Sequence, residues 1–265
     1  SEGRTEIARV SRSLNTMLNS IESALGSRNQ TLDQMRRFVA DASHELRTPL
    51  VSVRGYAELY RMGALKDQKA VGEAMERIES EAIRMSGLVE SLLTLARLDE
   101  NSKLQAMSGD LVALARSAAK DASVADRGRE IALTNLEGEE LAENNTENIE
   151  MDASALRQVL TNLLANACRF SKENDRLEIA IGSASENQVA LEVRDHGEGI
   201  PKQLREKVFE RFFRIDNSRN RETGGSGLGL SIVARLVDHH GGTVVAKETP
   251  GGGATFRVEL PRVQG

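Results

Sequence analysis

The chain places a histidine directly before a carboxylate, His44-Glu45, with Thr48 one helical turn further on and Pro49 after it. A neutral imidazole is a good nucleophile, and a neighbouring carboxylate can take or hold its second ring proton. The pair fits nucleophile-plus-base chemistry with Glu45 as the base; alone, it fits an ordinary surface histidine as well. A zinc-protease reading fails, because HExxH needs a second histidine where Thr48 stands. Three further groups follow in order: Asn162-Leu163-Leu164-Ala165-Asn166-Ala167, Asp195-His196-Gly197-Glu198-Gly199 and Gly224-Gly225-Ser226-Gly227-Leu228-Gly229-Leu230. Asn162 and Asn166 share one helix face, where amide oxygens are neutral ligands suited to a hard cation such as Mg²⁺ on phosphates. Asp195 ends a strand and runs into glycines that permit close ligand approach, so its carboxylate is placed to accept from a purine amino group. Gly227 and Gly229 open a helix whose free N–H groups point at an anion. No Gly-Lys-Ser/Thr follows and no ribose-binding acid completes a dinucleotide fold, so a nucleotide has to be held in another way.

These residues need elements to carry them. Apolar or small residues at Ile7, Val10, Leu14, Met17, Ile21 and Ala24 form a coiled-coil seam. The phase shifts near Ser27-Arg28-Asn29 and the seam resumes through Leu32, Met35, Val39, Ala42 and Leu46, predicting a second helical segment that continues the first. His44 lies two residues beyond Ala42, about 200° around the helix, so its ring faces away from the seam. Pro49 removes the backbone bond to residue 45 and loosens the helix there. A third run at Met75, Ile78, Ala82, Met85, Val89, Leu92 and Ala96 follows turn residues between Arg61 and Gly72, predicting a helical hairpin. A hairpin cannot cover its own apolar stripes, whereas two can close a four-helix bundle, so a homodimer is expected.

After the polar run Leu98-Asp99-Glu100-Asn101-Ser102, strand-like alternation appears at Glu130–Thr134, Leu177–Ile181, Val189–Arg194, Thr243–Lys247 and Ala254–Leu260. Helical patterns cover Leu111–Ala122, Ala153–Phe170 and Leu228–His239. These predict an α+β sandwich with helices on one face of a mixed sheet. The acidic, Asn-rich stretch Gly138–Glu150 reads as an exposed loop.

The totals agree with about two domains: 265 residues, 39% of them hydrophobic. With 40 acids against 35 bases and a net charge of −5, no basic field exists to attract nucleic acid. The single cysteine, Cys168, cannot form an internal disulfide and reads as a small packing residue. No stretch is apolar enough for a membrane span, and Ser1-Glu2-Gly3-Arg4 has neither a starting Met nor a signal-peptide pattern. The chain reads as a soluble fragment of something longer.

From about Ile7 to Pro261 the chain resembles the sensor histidine kinases of two-component systems. Phe38–Leu50 is similar to their H box, Asn162–Phe170 to the N box, Asp195–Gly199 to the G1 box, Phe209–Arg214 to the F box and Gly225–Gly229 to the G2 box, in family order. The resemblance implies an all-α dimeric helical hairpin plus an α+β two-layer sandwich of the histidine-kinase and Hsp90-like ATPase type. It implies a coiled signalling helix over residues 1–29, a remnant of a HAMP relay domain, then a phosphoacceptor hairpin over 30–100, a linker over 101–109 and a catalytic ATP-binding domain over 110–265. His44 would be the phosphoacceptor, Glu45 its base, and Thr48 would position water when a partner is dephosphorylated. Asn166 and Asn162 would serve Mg²⁺ and phosphate, Asp195 would read adenine, Phe170 would pack on the ring, and Arg169 and Arg214 would approach the phosphates. Gly197, Gly199, Gly225, Gly227, Leu228 and Gly229 would line the nucleotide, and Arg214–Ser226 would form a mobile lid, in keeping with its polar composition.

The implied cofactors are ATP and Mg²⁺, and the implied partner is the receiver domain of a response regulator. The implied location is the cytoplasmic side of a membrane protein whose transmembrane segment lies outside this sequence. His196 inherits no role, and the pair His239-His240 reads as structural. Two rivals stand beside this reading. One is an ATPase or clamp of the gyrase, Hsp90 and MutL class, whose members generally carry a water-activating glutamate where Asn162 stands; the other is a non-catalytic dimeric scaffold.

Overall fold

The computed structural model describes residues 2–99, 106–126, 129–173, 175–215 and 225–262. The first element, α1 (Glu2–Arg61), is one helix of 60 residues. It joins both expected helical segments and continues unbroken through Pro49, because proline removes a single donor and leaves the rest of the ladder in place. The seam side chains of Ile7, Val10, Leu14, Ala24 and Leu32 lie outside the described residues, whereas Met35 and Val39 are 63% and 54% exposed in the single chain.

Helix α1 ends at a glycine for a geometric reason. Gly63 takes φ +67°, its N–H donates to the Tyr60 carbonyl at 3.0 Å, and the Ala64 N–H donates to that of Leu59 at 3.0 Å. This paired closure needs a left-handed residue. Asp67 then starts α2 (Gln68–Asp99) by accepting the Ala70 N–H on Oδ1 at 2.7 Å. Val71 and Gly72, expected in the turn, therefore belong to the helix. The apolar stripe of α2 also differs from expectation: Met75 and Val89 are each 43% exposed, while Ala74, Leu88 and Leu95, one position earlier in each case, are buried. The helix carries more apolar surface than one flank of it covers.

The chain divides into two compact units, Ser1–Met85 and Ser86–Gly265. After α2 the second contains β1 (Met107–Asp110), α3 (Leu111–Ala125), β2 (Ile131–Thr134), β3 (Asn148–Met151), α4 (Ala153–Phe170), β4 (Leu177–Ser185) and β5 (Gln188–Arg194). Short 3-10 turns at Lys202–Leu204 and Lys207–Phe209, α5 (Gly229–His239), β6 (Thr243–Glu248) and β7 (Ala254–Pro261) complete it. The main sheet has the order β2-β4-β5-β7-β6, with β2 parallel to β4 and the other pairs antiparallel. Helix α4 packs between α3 and α5. Alternate strand residues Leu177, Ile179, Ile181, Val189, Leu191, Val193, Phe256, Val258 and Leu260 are buried, as are Leu156, Val159, Leu160, Leu163, Leu164 and Ala167 of α4. Period-two and period-3.6 patterns thus meet in one core.

Two expectations are corrected here. Residues 107–109 of the expected linker belong to β1, and the end of the expected acidic loop belongs to β3; the two strands pair antiparallel with Gly109 opposite Ile149. Each is four residues long, too short to stand out by alternation, although buried Ile149 and Met151 carry a trace of it. Asp110 locks the pair to α3, its Oδ1 accepting both the Val112 N–H and the Glu147 N–H at 3.0 Å.

The opposite face of the sheet carries an ion-pair row. Glu192 accepts from Arg257 at 2.7 Å and from Arg194 at 2.8 Å, and Arg257 also donates to Glu259 at 2.7 Å. Burial alone would push the Glu192 carboxyl up, but the hydrogen bonds from Arg257 and Arg194, then their charges, outweigh it and hold the group below the usual carboxylate range. The unfolded chain therefore takes up that proton at higher pH than the folded one. The resulting stabilisation is complete above the ordinary carboxylate value and is lost as pH falls through it toward the depressed folded value. Glu192→Ala, which strands two half-buried guanidiniums, is expected to destabilise the domain by about 3 kcal/mol in urea unfolding at neutral pH, with a smaller penalty in acid.

Candidate active site

His44 stands on α1 with its side chain exposed, as its phase relative to the seam requires, and Glu45 is half-buried beside it. Among the described residues no hydrogen bond joins the two side chains. The Thr48 hydroxyl is turned back along the helix, donating to the His44 carbonyl at 3.4 Å. The imidazole is thus presented to solvent on a rigid rod, with an acid and a hydroxyl within one turn.

In the second unit the remaining residues gather around the carboxyl end of α4 and the amino end of α5. Helix α4 starts at Asp152, whose Oδ1 accepts the N–H groups of Ser154 at 3.0 Å and Ala155 at 3.1 Å. Asn162 and Asn166 lie half-buried on it. The Nδ2 of Asn162 is buried with no hydrogen-bond partner among the described residues, and such a group calls for an acceptor. Its amide lies beside Gly229, with Oδ1 3.8 Å from the point where a Cβ on Gly229 would sit. Helix α5 opens there without a side-chain cap, since Leu228 precedes it, and its first N–H groups are available to an anion. A phosphate oxygen fits both needs.

Asp195 is 2% exposed and is held by the backbone: its Oδ1 accepts the N–H groups of Gly197 and Ala254, each at 3.0 Å. Among the described residues nothing bonds Oδ2, which is the oxygen left for a ligand. Gly197 has to be glycine, because a Cβ would lie 2.0 Å from the Phe170 carbonyl oxygen. The G1 turn is thereby seated on the end of α4. Phe170 is 44% exposed and offers a ring face, with the Arg169 guanidinium carbon 5.1 Å from its centroid. The same guanidinium lies against Gly225, with Nη1 2.5 Å from the place a Cβ would take. Gly227, at φ +70°, accepts the Phe212 N–H on its carbonyl at 3.0 Å, and Phe212 itself takes φ 61°. The F-box and G2-box segments are joined by this bond.

Asn162, Asn166, Arg169, Phe170, Asp195, Gly197, Gly225, Gly227, Leu228 and Gly229 are thus brought to one region, and Gly199, at φ +72°, closes the turn after Asp195. Arg214 is exposed, and residues 216–224 of the expected lid lie outside the described residues. Sequence reasoning missed Ala254 at the start of β7 and Gly253 just before it, which hold Asp195, and the backbone role of Phe212; the run Gly251-Gly252-Gly253 was the available signal for Gly253. Cys168 behaves as expected of a packing residue, its thiol pushed up to about 11 by burial and then by Asp126. The His240 ring is structural, with Nδ1 donating to the Leu236 carbonyl at 2.7 Å and Nε2 accepting the Asp152 N–H at 3.2 Å. That pairing fixes the neutral tautomer.

Residues 34–101 match the His Kinase A (phospho-acceptor) domain, and residues 151–264 match the histidine kinase-, DNA gyrase B- and HSP90-like ATPase family. The probable sensor histidine kinase TcrY of Mycobacterium tuberculosis is 44% identical over 258 residues, covering 97% of this chain and 52% of that protein. The sensor histidine kinase WalK of Bacillus subtilis is 35% identical over 237 residues, covering 88% of this chain and 38% of that protein. A solved structure of full-length ShkA in complex with AMPPNP superposes with a TM-score of 0.59 at 30% identity, covering 84% of this chain and 45% of that one. The chain spans about half the length of the first of these relatives. No helix among the described residues is long and apolar enough to cross a membrane. A phospho-acceptor domain followed by an ATPase domain, with the likeness to sensor kinases running over nearly the whole chain, makes it a member of the two-component sensor histidine kinase family.

Proposed function

We propose that the chain is the cytoplasmic catalytic portion of a membrane-bound sensor kinase, which phosphorylates His44 from ATP and passes the phosphoryl group to an aspartate of a response-regulator receiver domain. The observation that carries this reading is an exposed histidine within the phospho-acceptor match, on a chain whose ATPase domain has a neutral amide, Asn162, where clamp ATPases generally place a water-activating glutamate. An amide cannot deprotonate water, so the acceptor has to come from elsewhere in the protein. Residues 34–101 and 151–264 as matched domains support a division into signalling helix (1–29), phosphoacceptor hairpin (30–100), a linker from 101 and a catalytic domain that begins at β1, with Met107, rather than at residue 110.

In the catalytic domain Asp195 Oδ2 accepts from the adenine amino group while Phe170 packs on the ring. The Asn162 amide and the opening N–H groups of α5 hold phosphate oxygens, and Arg169 and Arg214 supply positive charge. Mg²⁺, when bound, neutralises phosphate charge; the amide oxygens of Asn166 and Asn162 would hold it as neutral ligands. At His44 a ring nitrogen lone pair forms the N–P bond as the bond to the β–γ bridging oxygen breaks and ADP leaves. Glu45 turns to hold the proton on the other ring nitrogen. The phosphoryl group then moves to a carboxylate oxygen of the receiver domain, restoring the neutral imidazole. Exposed Met35, Val39, Leu50, Val51, Ile83 and Leu93 support burial against a second copy in a four-helix bundle, and so a homodimer.

The test is incubation with γ-labelled ATP and Mg²⁺. The kinase reading expects an acid-labile, alkali-stable phosphate on the chain; steady release of phosphate into water without label on the protein would support the ATPase reading instead. Thr48 gives a further prediction. Thr48→Ala is expected to keep autophosphorylation while slowing dephosphorylation of the receiver domain about tenfold or more, through loss of a water-positioning hydroxyl. Full phosphatase activity in that variant would remove the role.

A further inference from the structure

The connection from β6 to β7, Thr249-Pro250-Gly251-Gly252-Gly253, together with Ala254 at the start of β7, is tied to the segment Asp195–Gly199 by two hydrogen bonds and two close glycine approaches. The Asp195 N–H donates to the Ala254 carbonyl at 2.9 Å, and the Ala254 N–H returns to Asp195 Oδ1 at 3.0 Å. Between these bonds Gly253 presses on the Asp195 backbone so closely that a Cβ would lie 2.0 Å from the Asp195 carbonyl oxygen and 2.7 Å from the His196 Cα. From the other side Gly199 closes on Gly253, a Cβ there meeting the Gly253 carbonyl oxygen at 2.9 Å. The connection is itself braced, with the Gly252 N–H donating to the Thr249 carbonyl at 2.9 Å and buried Thr249 and Thr255 hydroxyls bonded at 2.9 Å.

We propose that Gly253 is a positioning residue that sets the aim of the Asp195 carboxylate and thereby the choice of an adenine nucleotide. With Oδ1 held by two backbone N–H groups, the direction of Oδ2 follows from where the Ala254 N–H stands, and that follows from how closely Gly253 lies against Asp195. A hydrogen bond weakens steeply with misalignment, so displacing the connection by the width of one methyl group takes Oδ2 off the purine amino group. The remainder of the nucleotide, held by α4 and α5, is untouched. The inference rests on the proposed adenine-reading role of Asp195.

The neighbouring glycine provides a matched control. Gly252 and Gly253 both take φ +109°, so alanine is strained at each, but a Cβ on Gly252 meets nothing within 4 Å. The experiment compares affinities of the full chain for ATP and for purine riboside triphosphate, which lacks the 6-amino group, in the presence of Mg²⁺, with circular dichroism and thermal melting as the measure of folding. The parent chain is expected to prefer ATP by about a hundredfold. Gly252→Ala lowers the melting temperature and keeps the preference. Gly253→Ala brings the preference below about fivefold while binding of purine riboside triphosphate stays within about threefold of the parent. Partial unfolding would weaken both ligands alike and leave the ratio unmoved. If Gly253→Ala does not fold, Gly199→Ala pushes on the same contact from the other side and has to lower the ratio in its place. A folded Gly253→Ala, or failing that Gly199→Ala, that retained the hundredfold preference would overturn the proposal. An unchanged ratio in Asp195→Asn would instead remove the adenine-reading role itself, and the inference with it.

Discussion

His44→Gln is expected to reduce incorporation of the γ-phosphoryl group by about a thousandfold or more, to below detection, while ATP affinity stays within about twofold of the parent. Glutamine keeps a polar side chain of good helix propensity on the exposed face of α1, so neither packing nor the helix is disturbed. What is lost is the nucleophilic nitrogen, for which the amide nitrogen of glutamine, its lone pair delocalised, is no substitute. Acid-labile, alkali-stable label is measured in parallel with nucleotide affinity, and circular dichroism confirms the helix. Label that survives in this variant would move the acceptor to another residue. Equal release of phosphate into water by both proteins, with label in neither, would favour the ATPase reading.

Asp195→Asn is expected to weaken ATP binding by about a hundred- to a thousandfold without unfolding the domain. The substituted amide can still offer an oxygen to the Gly197 and Ala254 N–H groups, which hold Oδ1 at 3.0 Å in the parent, so the turn after β5 keeps its shape. The second oxygen becomes an NH₂ group that faces the amino group of adenine donor to donor. Loss of a hydrogen bond to a charged acceptor contributes about 1.5–3 kcal/mol, and a misplaced donor about 1 kcal/mol more, which together give that range. Inosine triphosphate, which carries an oxo group at the same place, is expected to bind the variant better than the parent. Calorimetric titration with both nucleotides checks this, and an ATP affinity within threefold of the parent would detach Asp195 from base recognition.

Most of the scaffold was legible because its elements repeat over many residues. Ala153–Phe170 shows the 3.6-residue period through Leu156, Val159, Leu160, Leu163, Leu164 and Ala167, all buried as that pattern requires. Strands β4, β5 and β7 show alternation, and their alternate apolar residues form the core. Helix α2 was legible as a helix, but it begins at Gln68, earlier than the apolar run suggests, and its buried stripe lies one residue from the expected one. Its periodicity reports that apolar residues recur, and which flank is covered first depends on what packs there. Strands β1 and β3 were missed because each becomes a strand only by pairing with the other, across the whole of α3 and β2.

The sequence by itself determined the chemistry on offer: a histidine nucleophile beside an acid, amides and glycines that can hold phosphates, and an aspartate at a strand end. It determined too the helical hairpin and the layered sheet that carry them, since local periodicity encodes which faces are apolar. Only the tertiary structure decided which groups hold those residues in position. Asp195 is bonded to an N–H 59 residues away, Gly227 to the backbone of Phe212, Gly197 lies against Phe170, and Arg169 against Gly225. Such contacts join backbones and single atoms across distant segments, where no residue type or spacing marks the partner, and they exist only once the chain path brings the segments to van der Waals distance.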